Sequence, residues 1–593
     1  MQYGVILNSI YNIWINSTFF SILDRIWSPF KRAYDNLAAV SFLRGYDRVQ
    51  AVYEGSLFSR IIRFILDLIY KLIAAIAGFI APAWESSLIV RLCRGSFILN
   101  FEFLLGGFIC VMFITPHESW NNAYAVIAAL GFLALYLILA GSGKRELMYP
   151  DRLGLPLALF AIALIVSLLF THDLSDSIRI LLFFIAAFIF TYVIAADITD
   201  EKRLVKLLAF IYAAVILTSV YAVIQRKFNL VYVNASFTDL KLNTGIPGRI
   251  TSTLDNPNNF SEFLVLFMPL CAAFAGTRKK QTSCAALLIG LALPALALIM
   301  TYSRSGWISL MLAAFVYLWL RNKKLIPLFI ALAVLAFPFL PSTVTTRLTS
   351  IVTGIFGSSG YIDSSAQHRL RLWQSVEYMI RDYGVVGIGL GPSSFASLYP
   401  LYAQVDGASH TQSLYFELIL ETGILGFVSF MWLALRSIKN CVITRRRASG
   451  LTRAVLIACA ASFIGIAFSC IVEYIWFYPR DLFAYFILLG ISFAAISIAN
   501  RNKQEIRYAK ARRSFPLTGF VFYYLLCAED TVAGIAEARD DVTVVVEVIV
   551  ESGDIDIHIG MILLHALNTL WSADDTHELD MLHAVVLQKL YSS

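Results

Sequence analysis

Long apolar runs separated by short polar stretches set the pattern of this chain. A bilayer crossing needs roughly 20 predominantly apolar residues, somewhat fewer at the short end. Twelve stretches qualify: 98–115, 123–141, 153–171, 178–196, 204–224, 260–276, 284–301, 305–320, 325–340, 413–436, 453–475 and 481–499. The pattern predicts an all-α polytopic membrane protein with about 12 transmembrane helices and a large helical outer loop. Basic residues predict its orientation. Lys144, Arg145 and Arg152, Lys202 and Arg203, Arg278 to Lys280, Arg321 to Lys324, and Lys439 to Arg447 fall in alternate loops, whereas 116–122 and 172–177 hold no Lys or Arg. Basic loops stay in the cytoplasm, so both termini are expected there. The two long loops, 225–259 and 341–412, then face outward. Loops of such length are usually functional or disordered, and the chemistry is expected in them.

The flanks read differently from this 98–500 membrane domain. Residues 1–97 contain no uninterrupted span and read as a cytoplasmic or interfacial amphipathic region. Arg63, Asp67 and Lys71 recur every four residues on one face of a helix over 61–80, which is expected to lie in the inner membrane interface. A loose unit around Ser17, Ser56 and Ser87 suggests an internal repeat. Residues 501–593 form an acidic tail of unassigned role, expected in the cytoplasm. From Ala528 onward it has thirteen acidic residues against two basic ones. Val542–Val550 looks strand-like, and His558, His565, His577 and His583 follow no zinc spacing.

Composition agrees with the pattern. Of 593 residues, 59% are hydrophobic and 15% charged, against about 45–50% and about 25% in soluble domains. Mean hydropathy is +0.72. A soluble enzyme, a disordered chain and a disulfide-stapled secreted domain are all excluded. The net charge of +7 is too mild to point to nucleic acid. The eight cysteines show no metal-ligand spacing. No signal peptide is recognisable at the N-terminus, so insertion is expected to rely on the internal spans.

A few polar residues depart from the basic-inside pattern on the expected outer face. Arg304 stands in Ser303-Arg304-Ser305-Gly306, a hairpin between two spans. An arginine at the membrane boundary needs a partner or water. It is either a snorkelling anchor or a ligand for phosphate, whose oxygens match the guanidinium fork. In the larger loop, 365–381 has helical spacing, with Leu372, Trp373, Val376, Met379 and Ile380 on one face. Arg369 shares that face, which calls for an anion or a structural acid; Arg371 points elsewhere and reads as solvated. The run Gly387-Ile388-Gly389-Leu390-Gly391 suits a tight turn better than a nucleotide loop, because no strand precedes it. His410 precedes the tenth span, with Ser409 or Thr411 available as helix cap. A helix N-terminus disfavours imidazolium and keeps histidine in the neutral form that a general base needs. Glu417 and Glu421, seven and eleven residues on, are expected on the same face. Glu421 reads as pairing within the bundle. In the other loop Arg249 is a further phosphate candidate, and Asn256, Pro257 and Asn258 suit turn and cap duties.

In order and topology these segments resemble the O-antigen ligase family, which includes surface-polysaccharide polymerases and oligosaccharyl transferases. The motifs are Gly248-Arg249 with Asn256-Pro257-Asn258, Ser303 to Gly306, Arg369 with Trp373, Gly387 and Gly389 with Phe395, and His410 with Glu421, Gly423 and Gly426. The resemblance covers roughly 98–500. It implies a metal-independent membrane glycosyltransferase of the bacterial cytoplasmic (inner) membrane that uses no cofactor. Such an enzyme moves a glycan from a polyprenyl (undecaprenyl) diphosphate carrier to an acceptor hydroxyl on a glycan, lipid or protein at the outer face. It further implies that Arg304 and Arg369, or Arg371 in place of Arg369, hold the diphosphate, and that His410 activates or positions the acceptor. Membrane lipid is the expected surrounding partner and nucleic acid is not expected. The competing class is a 12-span transporter or flippase, which usually shows matched halves and broken helices meeting at mid-membrane. No matched halves are visible.

Overall fold

The computed structural model describes residues 46–86, 100–228, 248–336, 364–405 and 407–514, with a few isolated positions besides. Every regular element among them is helical. The Ser17 and Ser87 portions of the suggested repeat, and the strand-like stretch and histidines of the tail, lie outside the described residues.

Two helices precede the bundle: α1 (Tyr46–Glu54) and α2 (Leu57–Ser86). The bundle begins with α3 (Phe101–Ile114), α4 (Ala123–Gly141), α5 (Leu155–Ser167), α6 (Leu174–Asp197) and α7 (Glu201–Lys227). It continues with α8 (Pro257–Ala275), α9 (Gln281–Gly290), α10 (Ala292–Met300), α11 (Arg304–Arg321) and α12 (Ile326–Ala336). After α13 (Ser364–Tyr383) and α14 (Pro392–Leu398) come α15 (Leu414–Thr444), α16 (Gly450–Val472) and α17 (Pro479–Ser514). The chain divides at Ala499; of the second compact unit, Asn500–Ser593, the described part is the helical stretch 500–514.

Eight of the described helical stretches are long and apolar enough to cross a membrane: α4, α6, α7, α8, α9 with α10, α15, α16 and the Pro479–Arg501 part of α17. The other four expected spans are also helical. Phe101–Ile114 and Leu155–Phe170 are apolar but shorter, α11 begins and ends on arginine, and the described part of α12 has eleven residues. The stretch expected as one span over 284–301 is two helices. Pro294 has no N–H to give the Gly290 carbonyl, and the break falls at Leu291.

Burial sorts the helices. The apolar windows of α8 and α17 are 83% buried, while that of α9 with α10 is 17% buried. A helix that is apolar all round belongs in the interior, and α17 presents an unbroken buried run from Leu482 to Leu489. Small residues allow close packing, as is usual between membrane helices. A Cβ on Gly465 of α16 would come within 2.8 Å of the Ser309 carbonyl of α11, and one on Gly490 within 2.9 Å of the Thr191 carbonyl. Hydroxyls tie helices to neighbouring backbones: Thr191 donates to the Phe486 carbonyl (2.8 Å) and Ser462 to that of Leu266 (2.7 Å).

The two ends of the bundle have different chemistry. At one, Arg145 pairs with Asp197 (2.6 Å) and Glu102 (3.2 Å), and Arg203 pairs with Glu102 (3.1 Å) and Asp200 (3.3 Å). The basic residues there are partners in a buried ion network as well as topological signals. The helix α2 docks its polar face through Arg63 and Ser59 to the buried Asp151 (2.6 and 2.5 Å) and through Asp67 to Tyr149 (2.7 Å). Its apolar side, Leu57, Ile61, Phe64 and Leu68, is exposed.

At the other end a second, smaller core forms within the large loop. Leu372, Val376 and Met379 of α13 pack with Ile388, Phe395, Leu398 and Tyr399 against Leu420 of α15. The helical reading of 365–381 and its buried face agree with this element.

Candidate functional site

Five segments meet at the end of the bundle below this small core. In the 248–259 loop, Asn256 caps α8 by accepting from the Asn258 amide (2.8 Å), with Pro257 in the first turn. Arg249 donates through Nε to the Thr301 carbonyl (2.8 Å) and through Nη2 to Asn258 Oδ1 (2.6 Å). Thr301 begins the turn between α10 and α11, so Arg249 is anchored three residues before Arg304, the half-buried first residue of α11. From Asn258 the chain of contacts continues. Its Nδ2 donates to Glu473 Oε1 (3.0 Å), and the same oxygen receives Arg369 Nη2 (3.1 Å). Arg369 and Arg249 are therefore yoked through Asn258 and one carboxylate. Arg371 is exposed, in line with the sequence reading of the two arginines.

Trp373, one turn beyond Arg369, fastens α13 to the His410 segment by donating Nε1–H to the Thr411 carbonyl (3.0 Å). Here the local expectation is corrected. His410 does not head α15, and neither Ser409 nor Thr411 caps it. The helix starts at Leu414 with Ser413 at the cap position. Residues 410–413 form a separate turn held by Glu417, whose Oε2 accepts the Thr411 amide (2.7 Å), and by Thr411 Oγ1, which donates to the Ser413 carbonyl (2.8 Å). The His410 ring lies against Phe477 and Tyr474, with centroids 4.6 and 5.7 Å away. Burial, helped by the Arg369 charge, lowers its pKa to about 4. This favours the neutral imidazole, and its cause is desolvation and a nearby cation rather than a helix N-terminus. Glu473, just past α16, is pushed up by burial and pulled back by Arg369, Arg249 and Asn258.

Glu417 and Glu421 are both buried and face the connecting segments. Glu421 Oε1 accepts the Gly391 amide (2.8 Å), and its carboxylate receives the Tyr474 hydroxyl (3.2 Å). Gly389 lies in a loop of left-handed glycines, and a Cβ there would sit 2.4 Å from the Thr171 side chain. Amides of this loop are engaged internally: Ile388 with the Leu420 carbonyl (2.6 Å) and Gly391 with Glu421. These contacts match a tight packed turn.

Backbone geometry marks the same places. Among the described residues, the non-glycine positions with positive φ are Ser252 (55°), Tyr302 (53°) and Gln412 (54°). Such conformations are costly and collect where surrounding structure enforces them, often at functional sites. Here they fall three residues from Arg249, two from Arg304 and two from His410. Among the described residues, no group of three or more His, Cys, Asp or Glu side chains is placed to hold a metal ion.

Residues 289–431 match the family model described as O-antigen ligase. This match supports the resemblance to the O-antigen ligase family over that segment of the chain. No curated protein matches the chain. The O-antigen ligase segment contains Arg304, Arg369, Gly389, His410, Glu417 and Glu421, whereas Arg249, Asn258 and Glu473 lie outside it and reach its residues through the fold. Together with the eight helical stretches long and apolar enough to cross a membrane, the match supports a multi-pass membrane protein carrying a segment similar to O-antigen ligases.

Glu473 and Tyr474 are the residues that sequence reasoning missed. The signal was available: Glu473 ends an apolar span, and a carboxylate within a span faces protein or water rather than lipid. The same rule had singled out Glu417 and Glu421.

Proposed function

We propose that this chain is an O-antigen ligase-like enzyme that transfers a glycan from a polyprenyl diphosphate carrier to an acceptor hydroxyl at the outer face of a bacterial inner membrane. Arg249, Arg304 and Arg369 bind the diphosphate, and His410 contacts the reacting groups beside it. The observation that carries this reading is the convergence of Arg249, Arg369 and His410 on Glu473 and its neighbours, with enforced backbone beside Arg249, Arg304 and His410. Preorganised cations stabilise charge that grows on a leaving diphosphate. Arg249 and Arg369 are gathered at Glu473, and Arg304 heads the helix next to the turn that Arg249 anchors. In the reaction the acceptor oxygen bonds to the anomeric carbon, and the bond from that carbon to the phosphate oxygen breaks. A site at the end of the bundle suits a donor whose lipid stays in the bilayer.

The test is transfer by the purified full chain in proteoliposomes, given a polyprenyl-diphosphate glycan and candidate acceptors, with released polyprenyl diphosphate as readout. Arg304→Ala and Arg369→Ala are expected to lower transfer at least 100-fold while inserting normally. Wild-type rates in both would overturn the reading. Acceptor identity separates a ligase from a polymerase: a lipid core accepts in the first, a growing glycan in the second.

A further inference from the structure

The orientation of the His410 ring assigns a role that the neutral state alone does not. The Gln412 amide N–H donates to His410 Nδ1 at 3.0 Å. A ring nitrogen that accepts a hydrogen bond carries no proton, so the neutral imidazole carries its proton on Nε2. That nitrogen is then a donor and offers no lone pair. A second proton would have to enter at Nδ1, against the Gln412 N–H.

The turn enforces this arrangement. Gln412 sits at φ 54°, a conformation that a residue with a long side chain adopts at a cost of about 1 kcal/mol or more. Thr411 on its N-terminal side is fixed by Glu417 and Trp373, and Ser413 on the other by Thr411 Oγ1. The Gln412 amide is therefore aimed at Nδ1 by contacts from α13 and α15 and by the turn's own hydrogen bond. Against the ring lie Phe477 and Tyr474 from the segment after α16, and the Arg369 charge of α13 acts on it. Among the described residues no hydrogen bond occupies Nε2.

We propose that His410 donates a hydrogen bond from Nε2 to an oxygen of the bound diphosphate, alongside Arg369, and does not take the proton of the acceptor. This rests on the transferase reading above. The balance is complete without a histidine base. The acceptor oxygen bonds to the anomeric carbon, the carbon–oxygen bond to the diphosphate breaks with its electron pair staying on the diphosphate, and the hydroxyl proton passes to that departing diphosphate. The Nε2 proton stays in place throughout.

Two measurements on the full chain decide it. In the transfer assay, His410→Gln keeps an amide donor and removes any base, whereas His410→Ala removes both. Expected are a loss of at least 100-fold for His410→Ala, a rate within about tenfold of wild type for His410→Gln, and unchanged melting for both. His410→Gln as inactive as His410→Ala, though equally folded, would overturn the donor role. Independently, 15N spectra of histidine-labelled protein, assigned by difference with His410→Gln, are expected to place the proton on Nε2; a proton on Nδ1 overturns the proposal whatever the rates. Full activity in Arg304→Ala, Arg369→Ala and His410→Ala together would instead sink the transferase site itself.

Discussion

Glu473 joins two arginines from different elements, and its loss should be felt in donor binding. Glu473→Ala leaves Arg369 Nη2 and Asn258 Nδ2 without their acceptor. Hydrogen bonds to charged groups contribute about 1.5–3 kcal/mol, so kcat/KM for the donor should fall about 10- to 100-fold, mostly through KM, with a smaller loss in Glu473→Gln. A fall in kcat at unchanged KM would count against a positioning role. His410 adds a pH prediction. Its pKa, lowered to about 4, lies below the ordinary histidine value near 6.5. The imidazole therefore stays neutral as the pH falls through 6.5 and charges only near 4. A profile of kcat/KM should show no acid limb centred near 6.5. The unfolded chain takes up a proton between 6.5 and 4 that the folded chain refuses, so this group contributes stability above that window and loses it progressively within it. Of these residues, Arg304, Arg369 and His410 were legible because a charge or an imidazole stands out in an apolar sequence. The links between them were not, because Asn258 and Glu473 lie 215 positions apart.

At the scale of elements, the kink of α15 deserves a direct test. A single helix was expected from 413 to 436, yet Gly423 has φ 66° and breaks the regular path. A Cβ at Gly423 would lie 2.3 Å from the Val385 carbonyl, and one at Gly387 would lie 2.6 Å from the Glu421 carbonyl. The two glycines let the 385–391 loop lie directly on α15 and bring Gly391 to Glu421. Gly423→Ala should lower the melting temperature in detergent and reduce transfer, through steric overlap and left-handed strain together; unchanged melting would show that the loop can retreat. The periodicity of apolar residues located α15 but could not show the kink, since a glycine in a helical pattern is ambiguous until something is packed against it. The helix α2 makes the complementary case. Its polar stripe was visible in sequence, but that stripe meets Asp151 and Tyr149 of the bundle, and the apolar stripe is the exposed one. Arg63→Ala should loosen α2, read as faster proteolysis near residue 60, while leaving transfer intact.

For the whole molecule, the alternation of basic and non-basic loops predicts which end of the bundle faces the cytoplasm. Cysteines introduced at Ser142 and Ser409, both exposed, belong to opposite ends. In intact cells Ser409→Cys should react with a membrane-impermeant maleimide and Ser142→Cys should not; labelling of both, or the reverse, would overturn the proposed orientation. The sequence by itself determined the membrane class, the helical fold and the arginines and histidine that stand out against the apolar runs. These follow from local composition and period, which a window of twenty residues contains. Only the tertiary structure decided where the helices break, which glycines admit a close neighbour, which acid joins Arg249 to Arg369, and which backbone N–H meets the His410 ring. Each of those depends on a partner far away in the chain or on the direction of a single N–H, and neither is written in local sequence.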